Sequence, residues 1–252
     1  MRENVWTDEE VVRFQAWYEK NLPHMYFTYQ IGDKLVRIFR DYIKDNDCVL
    51  DYGAGLGFFS EHILKATKAK VSSCDFSPSA IQNERDRCSK YPNFSGAYLV
   101  DELIEQDKTF DVIFCLEVVE HCNDDYLKKT FENFKKLLRV GGIVIVSTPN
   151  NENLRNNFIC CPNCGKVFHR VAHVRSWTIN SLKKYIVDSG FTLKDIYTTN
   201  YHFKECLSKK TLANRLRIKQ RERKMIFEKF YDCNDTSGGG GGDSLNAIFT
   251  KE

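Results

Sequence analysis

Three glycines alternate with other residues directly after an apolar run, and an acidic residue precedes them. The segment VLDYGAGLGFFS (49–60) contains Asp51, Gly53, Ala54, Gly55 and Gly57. Glycine is needed where a turn is tight and where ligand atoms approach the backbone. The next apolar run ends at Asp75, and a carboxylate at a strand end can accept hydrogen bonds from both ribose hydroxyls. The pattern predicts a nucleoside-binding loop.

A second chemical pattern, LEVVEH (116–121), places Glu117, Glu120 and His121 at positions i, i+3 and i+4. This spacing puts the three side chains on one face of a helical turn. Two carboxylates and an imidazole form a site suited to magnesium, manganese or iron. Because the motif follows a strand, we expect it at the carboxyl edge of the sheet, where α/β proteins bind ligands.

A third pattern is CCPNCGKVFHRVAH (160–173), in which Cys161, Cys164, His169 and His173 form C-x2-C-x4-H-x3-H. Two thiolates and two imidazoles make a closed tetrahedral zinc set, which would be structural. Alternatively, the cysteines fix the loop while His169 and His173 face the active site, one of them as a general base. Either way, 150–177 is expected to form a wall of the substrate pocket.

The elements that must position these groups alternate between strand and helix. The strand predictions are Cys48–Tyr52, Lys70–Cys74, Phe94–Leu99, Phe110–Leu116, Ile143–Ser147, Phe191–Thr199 and Leu245–Thr250. The helix predictions are Thr7–Tyr18, Tyr29–Ile43, Phe58–Lys65, Pro78–Cys88, Asp124–Arg139 and Ile179–Ser189. Short apolar runs separated by helical periods indicate an α/β fold with a doubly wound, mostly parallel seven-stranded sheet. The last strand is expected antiparallel beside Phe191–Thr199.

The predicted organisation is one α/β domain over 45–252, preceded by a helical lid over 1–44. The Cys/His insertion, 150–177, follows the fifth strand. A basic helix, Ser208–Tyr231, and the glycines Gly238–Gly242 form a second excursion over 208–242. The helix would suit a phosphorylated acceptor or form a solvated face.

Composition narrows the class of protein. The chain has 252 residues and a net charge of +3, which is too small to argue for nucleic acid. No apolar stretch approaches the roughly 20 residues of a membrane span, and MRENVWTDEE lacks the layout of a signal peptide. These features predict a cytoplasmic protein whose ten cysteines are mostly reduced.

The motifs resemble those of the class I S-adenosylmethionine-dependent methyltransferases, which have a Rossmann-like sheet. The resemblance covers about residues 45–200 and includes FDVIFCLEVVEH (110–121) and LLRVGGIVIVSTPN (137–150). It implies S-adenosylmethionine as cofactor, with the glycine loop under the methionine and ribose and Asp75 on the ribose diol. The cofactor-binding residues implied are Asp51, Gly53, Ala54, Gly55, Gly57, Asp75, Phe76, Asp101 and Leu116.

The segment Glu117–His121 also resembles E-x-x-E-H of two metal-dependent groups. These are the ubiquinone-biosynthesis O-methyltransferases and the small-RNA 3′-terminal 2′-O-methyltransferases. In the second group a later histidine completes the site, and His173 matches it here. A catalytic magnesium or manganese site and the zinc set therefore compete for His173.

Three functions follow as hypotheses. The first is O-methylation of a small polar acceptor, such as a sugar or a phosphate-bearing precursor of bacterial surface polysaccharides, since the chain also resembles methyltransferases of surface-glycan gene sets. The second is metal-dependent 2′-O-methylation of RNA, although no RNA-binding domain is recognisable. The third is a zinc-stabilised protein that binds S-adenosylmethionine without turnover.

Overall fold

The computed structural model describes residues 6–201 and 243–252, which form a seven-stranded sheet with helices on both faces. Its strands are β1 (Cys48–Tyr52), β2 (Lys70–Asp75), β3 (Phe94–Leu99), β4 (Phe110–Leu116), β5 (Leu138–Pro149), β8 (Thr192–Thr199) and β9 (Ser244–Thr250), while β6 and β7 form a separate hairpin described below. The strand order in the large sheet is β3-β2-β1-β4-β5-β9-β8. The doubly wound, mostly parallel sheet is thus confirmed.

The helices agree with the predicted periods to within a few residues. They are α1 (Asp8–Asn21), α2 (Phe27–Phe39), α3 (Phe58–Ala66), α4 (Pro78–Cys88), α5 (Val100–Glu105), α6 (Asp124–Leu137) and α7 (Ile179–Asp188). The short α5 was not predicted. The helix α6 ends two residues early because β5 begins at Leu138, well before the apolar run from Ile143.

The sheet separates two hydrophobic cores, which explains why its central strands are apolar on both sides. On one face α2 and α3 contribute Leu35, Phe39 and Ile63, all fully buried. On the other face α6 and α7 contribute Phe134 and Leu182. The parallel strands β2, β1, β4 and β5 therefore end at one edge, where loops from both faces meet.

The last strand returns from a distant part of the chain and lies between β5 and β8. It is antiparallel to both, and Phe249 pairs with Val144 on one side and Leu193 on the other. The predicted antiparallel neighbour of the sixth strand is confirmed. The basic helix Ser208–Tyr231 and the run Gly238–Gly242 lie outside the described residues.

A small antiparallel hairpin follows β5 and was not predicted as strands. It consists of β6 (Phe158–Cys160) and β7 (Val167–His169). The strands are only three residues long and carry cysteine and histidine, so they lack the apolar alternation by which strands are recognised. In the part of the chain that the structure describes, no helix has the length and apolarity to cross a membrane.

Candidate functional site

The glycine loop between β1 and α3 has left-handed backbone at each of its three glycines. The φ angles of Gly53, Gly55 and Gly57 are 75°, 54° and 72°. A side chain at Gly53 would also collide with Val118, because a Cβ there would lie 2.6 Å from Val118 Cγ2. Gly53 therefore cannot carry a side chain without a shift of its neighbours, and Val118 connects the loop to the segment after β4.

Asp75, at the end of β2, supports this loop from below. Its Oδ2 accepts a hydrogen bond from the Gly55 N–H at 3.0 Å, and its Oδ1 accepts one from the Ser77 N–H at 3.0 Å. Each oxygen keeps further acceptor capacity. The role of Asp75 on a ribose diol stays a prediction, and the free acceptor capacity of its oxygens is compatible with it. We call Asp75 and the three glycines the glycine cradle.

A buried acid pair lies under the cradle. Asp51, at the end of β1, and Glu84, on α4, are both within hydrogen-bond distance of Ser60 Oγ, at 2.8 and 3.2 Å. All three side chains are buried, and Gly57 packs against Glu84, whose Cγ would lie 2.9 Å from a Cβ at that glycine. Glu84 and Ser60 were not predicted, because a helical Glu and Ser carry no motif that marks them as buried.

The N-terminal helices cover the cradle. The Tyr26 ring approaches to 3.1 Å of where a Gly55 Cβ would stand, and Glu19 of α1 accepts a hydrogen bond from Ser79 Oγ at 3.0 Å. Burial raises the pKa of Tyr26, so its phenol stays neutral. The ring of Phe76, directly after Asp75, is 57% exposed and is free to flank a base.

The two remaining predicted cofactor residues, Leu116 and Asp101, differ in their exposure to solvent. Leu116 ends β4 and is buried in the sheet core. Asp101 lies at the start of α5 with its side chain 76% exposed, in an ion pair with Lys129 Nζ at 2.9 Å. The structure gives the proposed contact of Asp101 with adenine no support, because this carboxylate already faces a lysine in solvent.

The segment after β4 begins with a strained residue. Glu117 has φ of +56°, which is uncommon for a residue with a side chain. Its N–H donates to the Ser147 carbonyl at 2.9 Å, and its Oε1 accepts from Ser147 Oγ at 2.8 Å. These bonds to β5 turn the carboxylate inward, a position that the sequence spacing alone does not reveal.

Glu120 is buried beside Glu117, His121 is 32% exposed with its Nδ1 buried, and each keeps a buried atom without a hydrogen bond. Glu120 Oε2 accepts from Thr148 Oγ1 at 3.0 Å, whereas Glu120 Oε1 and His121 Nδ1 have no hydrogen-bond partner. Ligand atoms of Glu120, His121 and His173 lie within 4.8 Å of one another. Buried polar atoms are normally satisfied, so this group is shaped for a ligand or an ion.

The two later histidines are held by Glu152, which was not predicted. The backbone N–H of His173 donates to His169 Nδ1 at 3.1 Å, so the ring proton of neutral His169 is on Nε2. The Nε2–H of His169 lies 3.3 Å from Glu152 Oε1, and His173 Nδ1 lies 2.5 Å from Glu152 Oε2. Glu152 thereby orients both rings. We call Glu117, Glu120, His121, Glu152, His169 and His173 the carboxylate–imidazole cluster.

This arrangement corrects the predicted zinc set. The groups of described residues whose ligand atoms could share one ion contain no cysteine, because Glu152 draws His169 and His173 into the cluster. Cys164 is exposed at the hairpin turn, whereas His169 is buried. The N–H groups of Cys164 and Asn163 lower the pKa of the Cys161 thiol. The cysteines thus lie at the hairpin turn, and both imidazoles contact Glu152 instead of them.

Burial governs the charges of the cluster. It raises the pKa of Glu117 to about 7 and lifts that of Glu120 well above its usual range, helped by the Glu117 charge nearby. Burial and then His173 lower the pKa of His121 to about 3. Burial alone would raise the pKa of Glu152, but its bond to His173 prevails and holds the value at about 2. Perturbed groups gathered at a strand edge mark a functional site.

Comparison with known proteins agrees with the cradle. A family model described as "Methyltransferase domain" matches residues 18–195, a range that includes the glycine loop, Asp75 and the whole cluster. A solved S-adenosylmethionine-dependent methyltransferase from Clostridium acetobutylicum superposes with a TM-score of 0.59 at 14% identity, over 95% of this chain and 98% of that one. At that identity the likeness shows the fold.

Two curated relatives are similar over shorter stretches. A ubiquinone biosynthesis O-methyltransferase of Rhizobium etli is 35% identical over 104 residues, 40% of this chain and 41% of that protein. A demethylmenaquinone methyltransferase of Tropheryma whipplei is 32% identical over 101 residues, 39% of this chain and 40% of that protein. The chain thus spans about two fifths of the length of these relatives.

Proposed function

The chain belongs to the methyltransferase-domain family, and from this we propose that it transfers the methyl group of S-adenosylmethionine to a hydroxyl oxygen of a small polar acceptor. One observation carries the choice of a hydroxyl: the carboxylate–imidazole cluster lies directly beside the glycine cradle. Val118 packs on Gly53 and stands between Glu117 and Glu120 in the chain. A hydroxyl nucleophile needs its proton removed, and this cluster supplies acceptors for a proton.

The cradle fits the cofactor on the evidence of its backbone. The three glycines have left-handed backbone, and a Cβ at Gly53 or Gly55 would fall within 3.1 Å of a neighbouring side chain, so the loop needs glycine there, as nucleotide-binding turns do. Asp75 is assigned to the ribose and the exposed Phe76 ring to the adenine. The sulfonium is already an activated leaving group, so alignment of nucleophile, methyl and sulfur is the main task of the chain.

The cluster is assigned to the acceptor. Glu152 holds His173 through Nδ1, which leaves Nε2 of that ring available to the site. The hydrogen bond from Ser147 holds the Glu117 carboxylate inward, and Glu120 Oε1 has no hydrogen-bond partner. These groups would orient the acceptor hydroxyl and receive its proton.

We further propose that Glu120, His121 and His173, with Glu117 beside them, hold a divalent ion. The donor set fits, because Glu120 Oε1 and His121 Nδ1 are buried and accept no hydrogen bond. Two imidazoles with carboxylates suit manganese better than magnesium. When bound, such an ion would lower the pKa of an acceptor hydroxyl. Structural zinc on Cys161 and Cys164 is not part of this proposal.

The acceptor class is the finer part of the proposal. The relatives named for ubiquinone biosynthesis and for demethylmenaquinone support a quinone-type ring as acceptor, and the first, an O-methyltransferase, supports transfer to oxygen. A sugar or a phosphate-bearing acceptor has no counterpart in those names. RNA ribose is a second candidate, supported by the ligand atoms of Glu120, His121 and His173, which lie within 4.8 Å of one another.

The test is transfer of labelled methyl from S-adenosylmethionine to three probes: 3,4-dihydroxybenzoate, glucose 6-phosphate and a short RNA with a free terminal ribose. We expect O-methylation of the catechol, stimulated by Mn²⁺ and suppressed by EDTA. Methylation of the RNA alone would favour the second candidate. Tight cofactor binding with methylation only at carbon or nitrogen would overturn the hydroxyl assignment.

A further inference from the structure

The buried groups beneath the glycine loop are acidic and lack cationic partners. Asp51, Asp75 and Glu84 are all buried. In the described part of the chain, no lysine or arginine contributes to the pKa shift of any of the three. Unpaired buried carboxylates are costly, so such a group stays neutral or waits for a cation. Three of them in one place therefore require an explanation.

The hydrogen bonds of Ser60 indicate how many protons the Asp51–Glu84 pair carries. Its Oγ lies 2.8 Å from Asp51 Oδ2 and 3.2 Å from Glu84 Oε1. A hydroxyl has one proton and can donate to only one of these oxygens. Both contacts are full hydrogen bonds only when the other carboxyl is protonated and donates to Ser60 Oγ. The geometry thus favours one proton on the acid pair, which agrees with burial raising the pKa of Asp51 to about 7.

The surroundings offer few other groups that could take up or release this proton. Burial raises the pKa of the Cys74, Cys88 and Cys115 thiols, which face the pair from β2, α4 and β4, and they stay neutral. Asp75 is the remaining buried acid, with its oxygens on backbone N–H groups. Further out, charged groups also act on the Cys88 thiol: Glu61 of α3 and Arg87 of α4 pair with each other at 3.5 Å. Glu19 of α1 is close enough to Asp75 for the two acids to interact.

We propose that Asp51 and Glu84 share one proton through Ser60 while the cradle lacks a cation, and release it when the cationic sulfonium of S-adenosylmethionine binds. Methyl transfer breaks the sulfur–methyl bond, leaves its electron pair on sulfur and makes the thioether of S-adenosylhomocysteine neutral. The pair then takes a proton back from solvent. Glu84 thereby acts as a specificity residue that favours the charged cofactor over the neutral product. The proposal rests on cofactor binding and is independent of the acceptor.

The test is titration calorimetry of the full chain with S-adenosylmethionine and with S-adenosylhomocysteine. Phosphate and Tris buffers, which differ in ionisation enthalpy, report the protons exchanged. Near neutral pH we expect S-adenosylmethionine to release up to one proton, and its Kd to fall by up to about tenfold per pH unit as pH rises. S-adenosylhomocysteine should release much less.

The variant Glu84→Gln keeps the shape and removes the acid, so proton release and the preference for S-adenosylmethionine should both diminish. Asp86→Asn, an exposed acid on the same helix, is the matched control and should behave like the parent chain. Ser60→Ala, which removes the bridge, gives a second reading if Glu84→Gln melts early. Equal proton release by both ligands, or an unchanged preference in Glu84→Gln, would overturn the proposal. Absence of any cofactor binding in the parent chain would instead refute the proposed function.

Discussion

The glycine cradle and the carboxylate–imidazole cluster meet at Val118, yet they are built in different ways. The cradle and its acid pair come from residues 51–84, and their main contacts run between neighbouring elements β1, α3, β2 and α4. The cluster joins three segments, around Glu117, Glu152 and His173, and its decisive contacts connect loops. The cradle is thus specified by residues that are close in sequence and largely by their backbone. The cluster is specified by long side chains that only the folded chain brings together.

The strongest test of this division is removal of a carboxylate from the cluster. Glu120→Gln should lower kcat by about a thousandfold, in the range of lost acid–base or metal contacts. Cofactor affinity should stay within about twofold, because the cradle does not use Glu120. Steady-state kinetics and calorimetry measure the two quantities. His24→Gln, an exposed histidine, serves as control, and a parallel loss of cofactor binding in Glu120→Gln would contradict the division.

The converse change is Asp75→Ala in the cradle. It removes the acceptor of two backbone hydrogen bonds and the group assigned to the ribose diol, so S-adenosylmethionine should bind about a hundredfold more weakly. Calorimetry checks this. Asp101→Ala is the matched control: its carboxylate faces Lys129 in solvent, and we expect little change. A large loss for Asp101→Ala would restore its role at the adenine.

The contact between the two halves can be tested at Gly53. The variant Gly53→Ala forces a side chain onto a left-handed backbone and against Val118, and should cost about 2 kcal/mol of stability. Urea unfolding gives the value. Adding Val118→Ala relieves the collision and leaves the backbone strain, so the double variant should recover only part of the loss. Full recovery would show that strain at Gly53 is negligible.

The acid pair predicts a pH dependence of stability. Burial raises the pKa of Asp51 to about 7, above its value in the unfolded chain, so the folded state binds the extra proton. This contribution is complete below the unfolded pKa and is lost as pH rises towards about 7. Between pH ~5 and ~8 the parent chain should therefore lose about 2 kcal/mol more than Asp51→Asn. Parallel pH profiles for the two proteins would contradict the raised pKa.

The smallest effect is expected where the hairpin touches α1. Lys166 Nζ pairs with Glu10 Oε1 at 2.9 Å, and the lysine is half exposed. Exposed pairs contribute under about 1 kcal/mol, so Lys166→Ala should change the free energy of unfolding by less than about 0.5 kcal/mol. Urea unfolding at low and high salt checks this. A larger loss would show that the hairpin and the helical cover act as one unit.

The difference between the halves also explains what could be predicted from the sequence. Strands such as β1 and β4 are recognisable as short apolar runs. The residue type of Gly53, Gly55 and Gly57 already indicates a left-handed backbone. No sequence pattern identifies Glu152 and Glu84 as buried or functional, because a glutamate is expected at the solvent-exposed surface unless the fold shows what surrounds it. The spacing of Cys161, Cys164, His169 and His173 suggested zinc, since spacing cannot show that Glu152 competes for both imidazoles.

The position of β9 has a consequence for how the protein is made. Thr250 pairs with Ile143 and Thr192, so the central sheet lacks a strand until residue 250 has left the ribosome. Until then β5 and β8 both present open edges, which other strands can join. Pairings across more than a hundred residues also form slowly. A nascent chain that ends before residue 244 would therefore be prone to self-association, and chaperones would recognise it at these edges.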